Sequence, residues 1–484
     1  MRMRNGVGLV AAIALGGGCL QVVSYQDATL DPSCCAGGGG VSTSESSSEV
    51  VATSASTSGV GGSCASNVDC PTGVHGTAIC DKGVCGYTCE QGFGDCNEMP
   101  GCETNTTDNK DHCGSCDVKC SAYCGGTACN DPVYVAAGYS HTCAILKDGS
   151  VWCWGENKFG EIGNGTTVGT TAPVKVALPG FAVQISTGGI SFMGIFGAHT
   201  CATLKDGSVY CWGSNGSGQL GVGSTTSATT PQPLALAGIK QVEAGGMHTC
   251  AVDTVGNLSC WGGDIYGQIG TSIKATSLSP VQILTSVVQV VAGANHTCAI
   301  MQDATLKCWG MNVKGQLGIG TTTDCTTPCA LNVGPDYPKN VVKLSSGSLH
   351  TCAVDALGLY CWGSNGSGQL GFGSKTDAHL PQAVSLVGVT AIDLGANYTG
   401  AVAGGKLYMW GDNTDGQLGD GTPVSELVPK DVGLENVEQL ALGDKHSCAI
   451  TKAGVLSCWG ANANGQIGDG TTMPRPSPVP VVWP

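Results

Sequence analysis

An all-β repeat architecture is predicted by three features of the 484-residue sequence. Trp-Gly recurs at Trp154, Trp212, Trp261, Trp309, Trp362, Trp410 and Trp459, at intervals of 58, 49, 48, 53, 48 and 49 residues. A period near 48 marks a repeat array. Apolar runs within each unit are four to six residues long and end at Gly, Asp or Pro, the punctuation of strands and not of helices. Each unit therefore holds four short strands with their turns, the content of one propeller blade, and seven units can close a ring.

The segments ahead of the repeats read as export machinery. Arg2 and Arg4 precede a short apolar run at 7–15, then small residues and Cys19, which predicts a signal peptide over 1–19. No apolar run reaches the roughly 18 residues that a membrane helix requires. Leu15-Gly16-Gly17-Gly18-Cys19 resembles a bacterial lipoprotein cleavage box, with Leu four places before Cys where the usual box has three. Cys19 is thus the expected lipidation site, and plain secretion is the alternative. A doubly or triply acylated cysteine would anchor a folded domain stably. Residues 20–63, with four glycines at 37–40 and recurrent Ser and Thr, have the composition of a flexible tether.

A cysteine-rich module is expected over 64–130. It carries 12 cysteines between Cys64 and Cys129 and few aliphatic residues, so covalent staples must stand in for a core. The run Cys96, Cys102, Cys113, Cys116 and Cys120 resembles a cysteine-rich module of bacterial surface lipoproteins. Disulfides are expected there; Cys113-x-x-Cys116 leaves half a zinc site as the alternative.

The repeats occupy 131–484. Gly-x-x-His-Thr-Cys-Ala followed by Cys-Trp-Gly-x-Asn-x-x-Gly-Gln-Leu-Gly resembles the regulator-of-chromosome-condensation repeat, with close matches from Trp212 to Gly221 and from Trp362 to Gly371. The resemblance implies a seven-bladed β-propeller. Asn157, Asn215, Asn312, Asn365, Asn413 and Asn462, with Asp264 in the third unit, are placed to close Asx-type turns. Gln219, Gln268, Gln316, Gln369, Gln417 and Gln466, with Glu161 in the first unit, are expected to bond backbone between blades.

Six units carry a cysteine pair: Cys143 and Cys153, Cys201 and Cys211, Cys250 and Cys260, Cys298 and Cys308, Cys352 and Cys361, and Cys448 and Cys458. The sixth unit has Gly400 and Met409 instead, so both members vanish together. A spacing of ten with a three-residue turn such as Lys205-Asp206-Gly207 puts the two cysteines opposite each other across a hairpin. Their Cα atoms are then expected roughly 4.5–5.5 Å apart, within disulfide reach. Cys352 and Cys361, nine apart, need the four-residue turn 355–358. Cys325 and Cys329, in the 53-residue interval, are expected to clip a loop insertion.

Functional classes narrow accordingly. A net charge of −15 opposes a nucleic-acid partner, and 29 cysteines fit an oxidising, extracytoplasmic compartment. His141, His199, His248, His296, His350 and His446 recur once per unit, with Tyr398 in the sixth, but equivalent blade positions lie too far apart to ligate one metal. They and the tryptophans are expected to be structural. Neither a catalytic constellation nor a cofactor or metal site is expected. The first interval is about nine residues longer than the others, and the surplus at 189–196 holds Ile190, Phe192, Met193, Ile195 and Phe196. This apolar insertion at a rim is either a partner contact or a plug for the central channel.

The expected protein is a monomeric, non-enzymatic interaction module of the outer membrane or cell surface, or secreted. It would bind a protein or glycan through rim loops and touch the membrane through its lipid alone. Guanine-nucleotide exchange, which the repeat family implies, is the alternative; an enzyme of unknown type is a more distant one.

Overall fold

The computed structural model describes residues 60–63, 67, 70, 75–82, 84–89, 93–94, 104–105, 120, 124, 129–192, 195–331 and 338–484. The expected signal peptide, Cys19 and nearly all of the tether lie outside the described residues, as do Cys113 and Cys116. The last residues of the expected tether form strand β1 (Val60–Ser63), which joins β2 (Gly76–Asp81) and β3 (Val84–Cys89) of the cysteine-rich segment in one small sheet in the order β1-β3-β2, while β4 (Phe93–Gly94) pairs with β5 (Thr104–Asn105). Disulfides join Cys70 to Cys85 and Cys120 to Cys129.

Seven four-stranded antiparallel sheets follow, each a plain meander in sequence order. Blade 1 comprises β6 (Pro132–Ala137), β7 (His141–Leu146), β8 (Val151–Gly155) and β9 (Thr170–Val176). Blade 2 comprises β10 (Ala182–Phe192), β11 (Ile195–Leu204), β12 (Val209–Gly213) and β13 (Ala228–Pro233). Blades 3 to 7 begin at Ile239, Val287, Lys343, Val389 and Val437. The first strand of every blade lines the central channel, so the fourth lies outermost. Among the described residues, no strand is exchanged between the first and last blades.

The ring is held by a contact repeated at every seam. The second strands of blades 1, 4, 5 and 6 are buried along their whole length, for instance His141–Leu146, and those of blades 3 and 7 in all but the last residue. Seven apolar clusters lie between neighbouring blades, each centred on one fully buried tryptophan. Trp212 of blade 2 donates its indole N–H to the Glu161 carbonyl of blade 1 at 2.8 Å, and the Thr200 hydroxyl donates to the same carbonyl at 2.9 Å. Thr200 Oγ1 in turn lies 2.9 Å from His141 Nε2. The single hydroxyl proton is already committed to the carbonyl. His141 is therefore the neutral Nε2–H tautomer, donating to Thr200, with its Nδ1 lone pair buried and unpartnered.

The pattern recurs around the circle, but for the unpartnered indole of Trp309, and closes it: His446 of blade 7 meets Thr142 of blade 1 at 2.8 Å, and Trp154 donates to the Gln466 carbonyl at 2.9 Å. Trp483 adds edge contacts with Trp152 and Trp154, at ring-centroid distances of 6.1 and 6.0 Å. In blade 6, Tyr398 is too long for the histidine's place, and blade 7 answers with Ser447 where other blades have Thr. The Tyr398 hydroxyl donates to the His446 carbonyl at 2.6 Å. The loop glycines fit the same geometry: a Cβ on Gly163, at φ +78°, would come within 2.6 Å of the Trp212 indole nitrogen.

Six disulfides join the second and third strands at directly opposed positions. They link Cys143 to Cys153 in blade 1, Cys201 to Cys211 in blade 2 and Cys250 to Cys260 in blade 3. Cys298 bonds Cys308 in blade 4, Cys352 bonds Cys361 in blade 5 and Cys448 bonds Cys458 in blade 7. The pairing follows the sequence expectation, but the spacing does not. All six Cα–Cα distances are 4.1 Å, shorter than expected for opposed residues. That value lies beyond the close end of the range, which belongs to opposed pairs that exchange no backbone hydrogen bonds. The third-strand members also face the outermost strand, Cys153 opposite Val174 and Cys458 opposite Val479. Cys153 packs in the cluster of the blade 1–2 seam with Trp212, and Cys458 in that of the blade 7–1 seam with Trp154. These cysteines are thus seam core as well as hairpin staples, a second role that the spacing of ten does not reveal.

The turn at 205–207 has three residues and that at 355–358 four. Where blade 6 lacks the pair, Met409 fills the volume. A Cβ on Gly400 would meet Met409 Sδ at 2.7 Å, so the glycine makes room for the thioether.

Cys325 and Cys329 are bonded to each other but do not clip a loop insertion. They lie in the outermost strand of blade 4, Cys325–Ala330, and span a bulge in which Cys325 and Cys329 oppose Gly310 and Cys308. The surplus of that interval falls after this strand, where 332–337 lie outside the described residues. Every outermost strand carries the same four-against-two bulge with a proline inside it, such as Pro173, Pro231 and Pro328. Proline has no N–H to lose there and blunts an edge that could otherwise pair with another chain. In blade 6 the positions of Cys325 and Cys329 are taken by Glu426 and Lys430, an ion pair at 2.6 Å.

The six inter-strand disulfides have fully buried sulfurs, whereas Cys325 and Cys329 are partly exposed. Mild reductant on the native protein, followed by alkylation and peptide mapping, should open Cys325–Cys329 first and leave the inter-strand pairs oxidised until the ring opens. Burial lowers the six histidines, to about 3 for His199, His248, His350 and His446 and to about 4 for His141 and His296. A depressed folded value means that their support is complete above about pH 6.5 and is withdrawn as the pH falls toward 3–4, at up to about 1.4 kcal/mol per pH unit for each histidine. Thermal or urea unfolding followed from pH 7 to pH 4 should register this steep loss, with proton uptake on unfolding approaching one per histidine.

Candidate interaction face and central channel

The channel is walled by edge strands, whose unpaired backbone groups need partners. Side chains from the preceding blade supply them. Gln184 donates to the Val242 carbonyl at 3.0 Å and accepts from Val242 N–H at 2.8 Å. Gln241 does the same for Val290, and Gln439 accepts from Val135 N–H across the closing seam. These bonds join first strands that lie in separate sheets; at their ends the backbones also bond directly, as Gly189 N–H does to the Gly245 carbonyl at 3.1 Å.

The cavity measures about 330 Å³. Two carboxylates occupy equivalent positions on opposite sides of it: Glu243 opposes Cys250 in its blade, and Asp393 opposes Gly400. Asp393 accepts from Leu442 N–H at 2.7 Å and from the Ser345 hydroxyl at 3.1 Å, which ties blades 5, 6 and 7 together. Glu243 accepts from Gln241 at 2.9 Å. Burial pushes Glu243 up to about 7 and Asp393 up to about 6, and their mutual repulsion raises Glu243 further. At the channel mouth, Asp444 is also pushed up to about 6 by burial, with Asp415 and Asp412 adding repulsion.

A raised carboxyl favours the fold fully below its unfolded value near 4.5 and withdraws that contribution as the pH rises through about 7. Glu243→Gln should therefore raise the thermal midpoint relative to the unsubstituted protein more at pH 8 than at pH 5. An equal effect at both pH values would mean that Glu243 keeps an ordinary pKa in the fold.

The recurrent polar residues are absorbed into the scaffold. Among the described residues, no group of three or more His, Cys, Asp or Glu side chains is arranged to hold a metal ion. The loop asparagines make more than a local turn. Asn215 Oδ1 accepts from Leu220 N–H at 2.9 Å, while its amide donates to the carbonyls of Ser224 and Thr226 at 2.9 and 3.0 Å, so one side chain organises the whole loop. The glutamines depart from the sequence expectation. Their side-chain oxygens bond within their own loop, as when Ser217 N–H donates to Gln219 Oε1, and apart from a long 3.5 Å bond from the Gln268 amide to Asn295 it is their backbone carbonyls that bridge to the next blade. No residue-type signal could have exposed that role, because every residue has a carbonyl. The channel glutamines, by contrast, carry a readable signal: Gln184, Gln241, Gln289 and Gln439 hold one register position in four blades.

The face that carries the first-to-second-strand turns also carries the loops between third and fourth strands. The surplus at 189–196 lies there. It lengthens β10 and β11 to 11 and 10 residues, with Ile190 paired to Gly197 and Phe192 to Ile195, whereas the corresponding strands of the other blades have four to six. Residues 193–194 lie outside the described residues, as do the side chains of Ile190, Phe192, Ile195 and Phe196.

A profile of the RCC1-like domain matches residues 190–483, and the regulator of chromosome condensation (RCC1) repeat matches residues 133–161 and 148–191. The ultraviolet-B receptor UVR8 of Arabidopsis thaliana is 34% identical over 264 residues, covering 53% of this chain and 58% of that protein. The probable E3 ubiquitin-protein ligase HERC4 of Homo sapiens is 34% identical over 105 residues, 21% of this chain and 9% of that protein. The chain thus spans little more than half of the first relative and a small part of the second. In fold, human WBSCR16 is similar with a TM-score of 0.62 at 23% identity, over 69% of this chain and 94% of that one. Prp20p from Saccharomyces cerevisiae, whose structure is described with its binding to Gsp1p and histones, has a TM-score of 0.58 at 23% identity, over 66% and 82%.

Proposed function

The chain belongs to the RCC1-like domain family, and from that premise we propose that it is an extracytoplasmic interaction module, tethered through Cys19, that captures a protein or glycan through the rim of its propeller. The observation that carries this reading is the elongated β10–β11 ribbon. Seven near-identical blades leave little to distinguish one part of the rim from another, and this ribbon is a pronounced break in that regularity. Its sequence places two Phe, two Ile and one Met within seven residues. An apolar cluster of that kind on a rim is costly to keep exposed and gains its value on binding. The fully buried disulfides support an oxidising compartment. They oppose the exchange-factor alternative, since an exported chain does not meet a cytosolic GTPase. The module is not an enzyme in this reading, because its recurrent His, Thr, Gln and Trp residues are engaged in holding blades together.

Two measurements test it. Deleting 190–196 returns blade 2 to the repeat's ordinary length, so the thermal midpoint should survive while partner capture by the purified propeller is lost. If the segment plugs the channel, the deletion instead lowers stability by about 2–5 kcal/mol, the range for removing a large buried side chain. A destabilised variant that still captures its partner would sink the rim-contact reading. For the tether, Cys19→Ser should shift the protein from the membrane to the soluble fraction, and unchanged fractionation would remove lipidation from the proposal.

A further inference from the structure

The seven seams are not equivalent, and their differences concentrate at one of them. In six blades a loop asparagine holds the loop shut with its amide. In blade 3 the residue is Asp264, fully buried. Its Oδ1 accepts from Ile269 N–H at 2.8 Å, the role of the asparagine oxygen elsewhere. Its Oδ2 accepts from Thr271 Oγ1 at 3.0 Å. In blades 1, 6 and 7 it is the asparagine amide nitrogen that contacts the side chain seven residues on, so Oδ2 stands in the place of a donor. An ionised carboxyl donates nothing. The carbonyls of Ile273 and Ala275 thereby lose the donor that their counterparts have in the other loops.

Two further observations fall on the same seam. Six loops place glycine at the next left-handed position, for example Gly223 at φ +76° and Gly320 at φ +79°; blade 3 has Ser272 at φ +73°, followed by Lys274 at φ +48°. Side chains with a Cβ are strained there. Across the seam, the Trp309 indole N–H is buried without a partner, whereas the other six tryptophans bond at 2.8–2.9 Å. The other irregular seam, between blades 6 and 7, is repaired by Tyr398, Ser447 and Met409. At the blade 3–4 seam the missing loop donor and the Trp309 bond go unreplaced, and the contact added there, Gln268 Nε2 to Asn295 Oδ1, is long at 3.5 Å.

We propose that the ring opens at the seam between blades 3 and 4, and that Asp264 is the residue that makes this seam yield first. Opening there withdraws the blade 3 loop from the outer strand of blade 4, where Ser272 N–H bonds the Thr326 carbonyl at 3.0 Å. It also uncovers the Cys250–Cys260 disulfide, which packs in one cluster with Trp309.

Hydrogen exchange by mass spectrometry on the full oxidised chain tests this. Amides of 262–276 should exchange about tenfold faster than those of the matching loops at 213–227, 310–324, 363–377 and 411–425, in keeping with a lower local opening free energy. Asp264→Asn combined with Ser272→Gly should slow them to the common rate. Native-state reduction distinguishes a fraying loop from an opening seam: Cys250–Cys260 should be the first of the six inter-strand disulfides to be alkylated, and D264N/S272G should abolish that lead. Uniform exchange across the loops overturns the proposal. So does fast exchange that persists in the double variant, or reduction of Cys250–Cys260 no earlier than Cys201–Cys211.

Discussion

One backbone carbonyl per blade carries the ring. The carbonyl of Glu161, or of the glutamine that replaces it, accepts the threonine or serine hydroxyl of the next blade and, at every seam but that of Trp309, the indole as well. The threonine then accepts from a histidine of the blade that offered the carbonyl. The chain of donors has one direction, so the histidine must carry a proton on Nε2, and burial of its unpartnered Nδ1 keeps it neutral. Buried tryptophan, threonine and histidine are each polar as well as bulky, and an unmet donor at the centre of a seam would forfeit much of what the apolar packing gains. The repeat can vary elsewhere; here it varies through the compensated exchange of Tyr398 with Ser447, and without compensation at Trp309.

Around this middle network lie two others. Near the channel, glutamines and carboxylates satisfy the edge strands of the next blade. At the periphery, loop amides such as Gly165 and Gly223 bond carbonyls exposed by the outer-strand bulges, at 2.8 Å in both cases. The disulfide bonds act inside blades and the hydrogen bonds act between them, so the two devices stabilise different things. A hairpin staple limits the unfolded chain. It does not close the circle. Closure rests on seven seams, and the blade 7–1 seam uses the same bonds as the rest with Trp483 added.

A scaffold of this kind has consequences for function. Most residues that look chemically active in the sequence have been spent on assembly, and the variable surface is left to loops and to the β10–β11 ribbon. The channel is lined by carboxylates whose charges are opposed by burial, and the disc edge is blunted by proline-containing bulges. An interaction role through one rim is consistent with each of these, and a rigid, buried-disulfide ring suits a protein that works outside the cell.

The sequence by itself determined the repeat number, the strand content and the cysteine partners within each hairpin. Period, punctuation and the joint loss of Cys at Gly400 and Met409 are local patterns, and hairpin register is a local property. Only the tertiary structure decided which atoms join the blades. The glutamine carbonyls, the histidine tautomer, the packing of Cys153 and Cys458 into seams, and the place of Cys325 and Cys329 in a strand bulge are all of this kind. The seam contacts bring together residues some 30 to 60 positions apart, or more than 300 apart where the ring closes. Residue types reveal a side chain's capacity to bond; they do not say which neighbour the closed ring brings within reach.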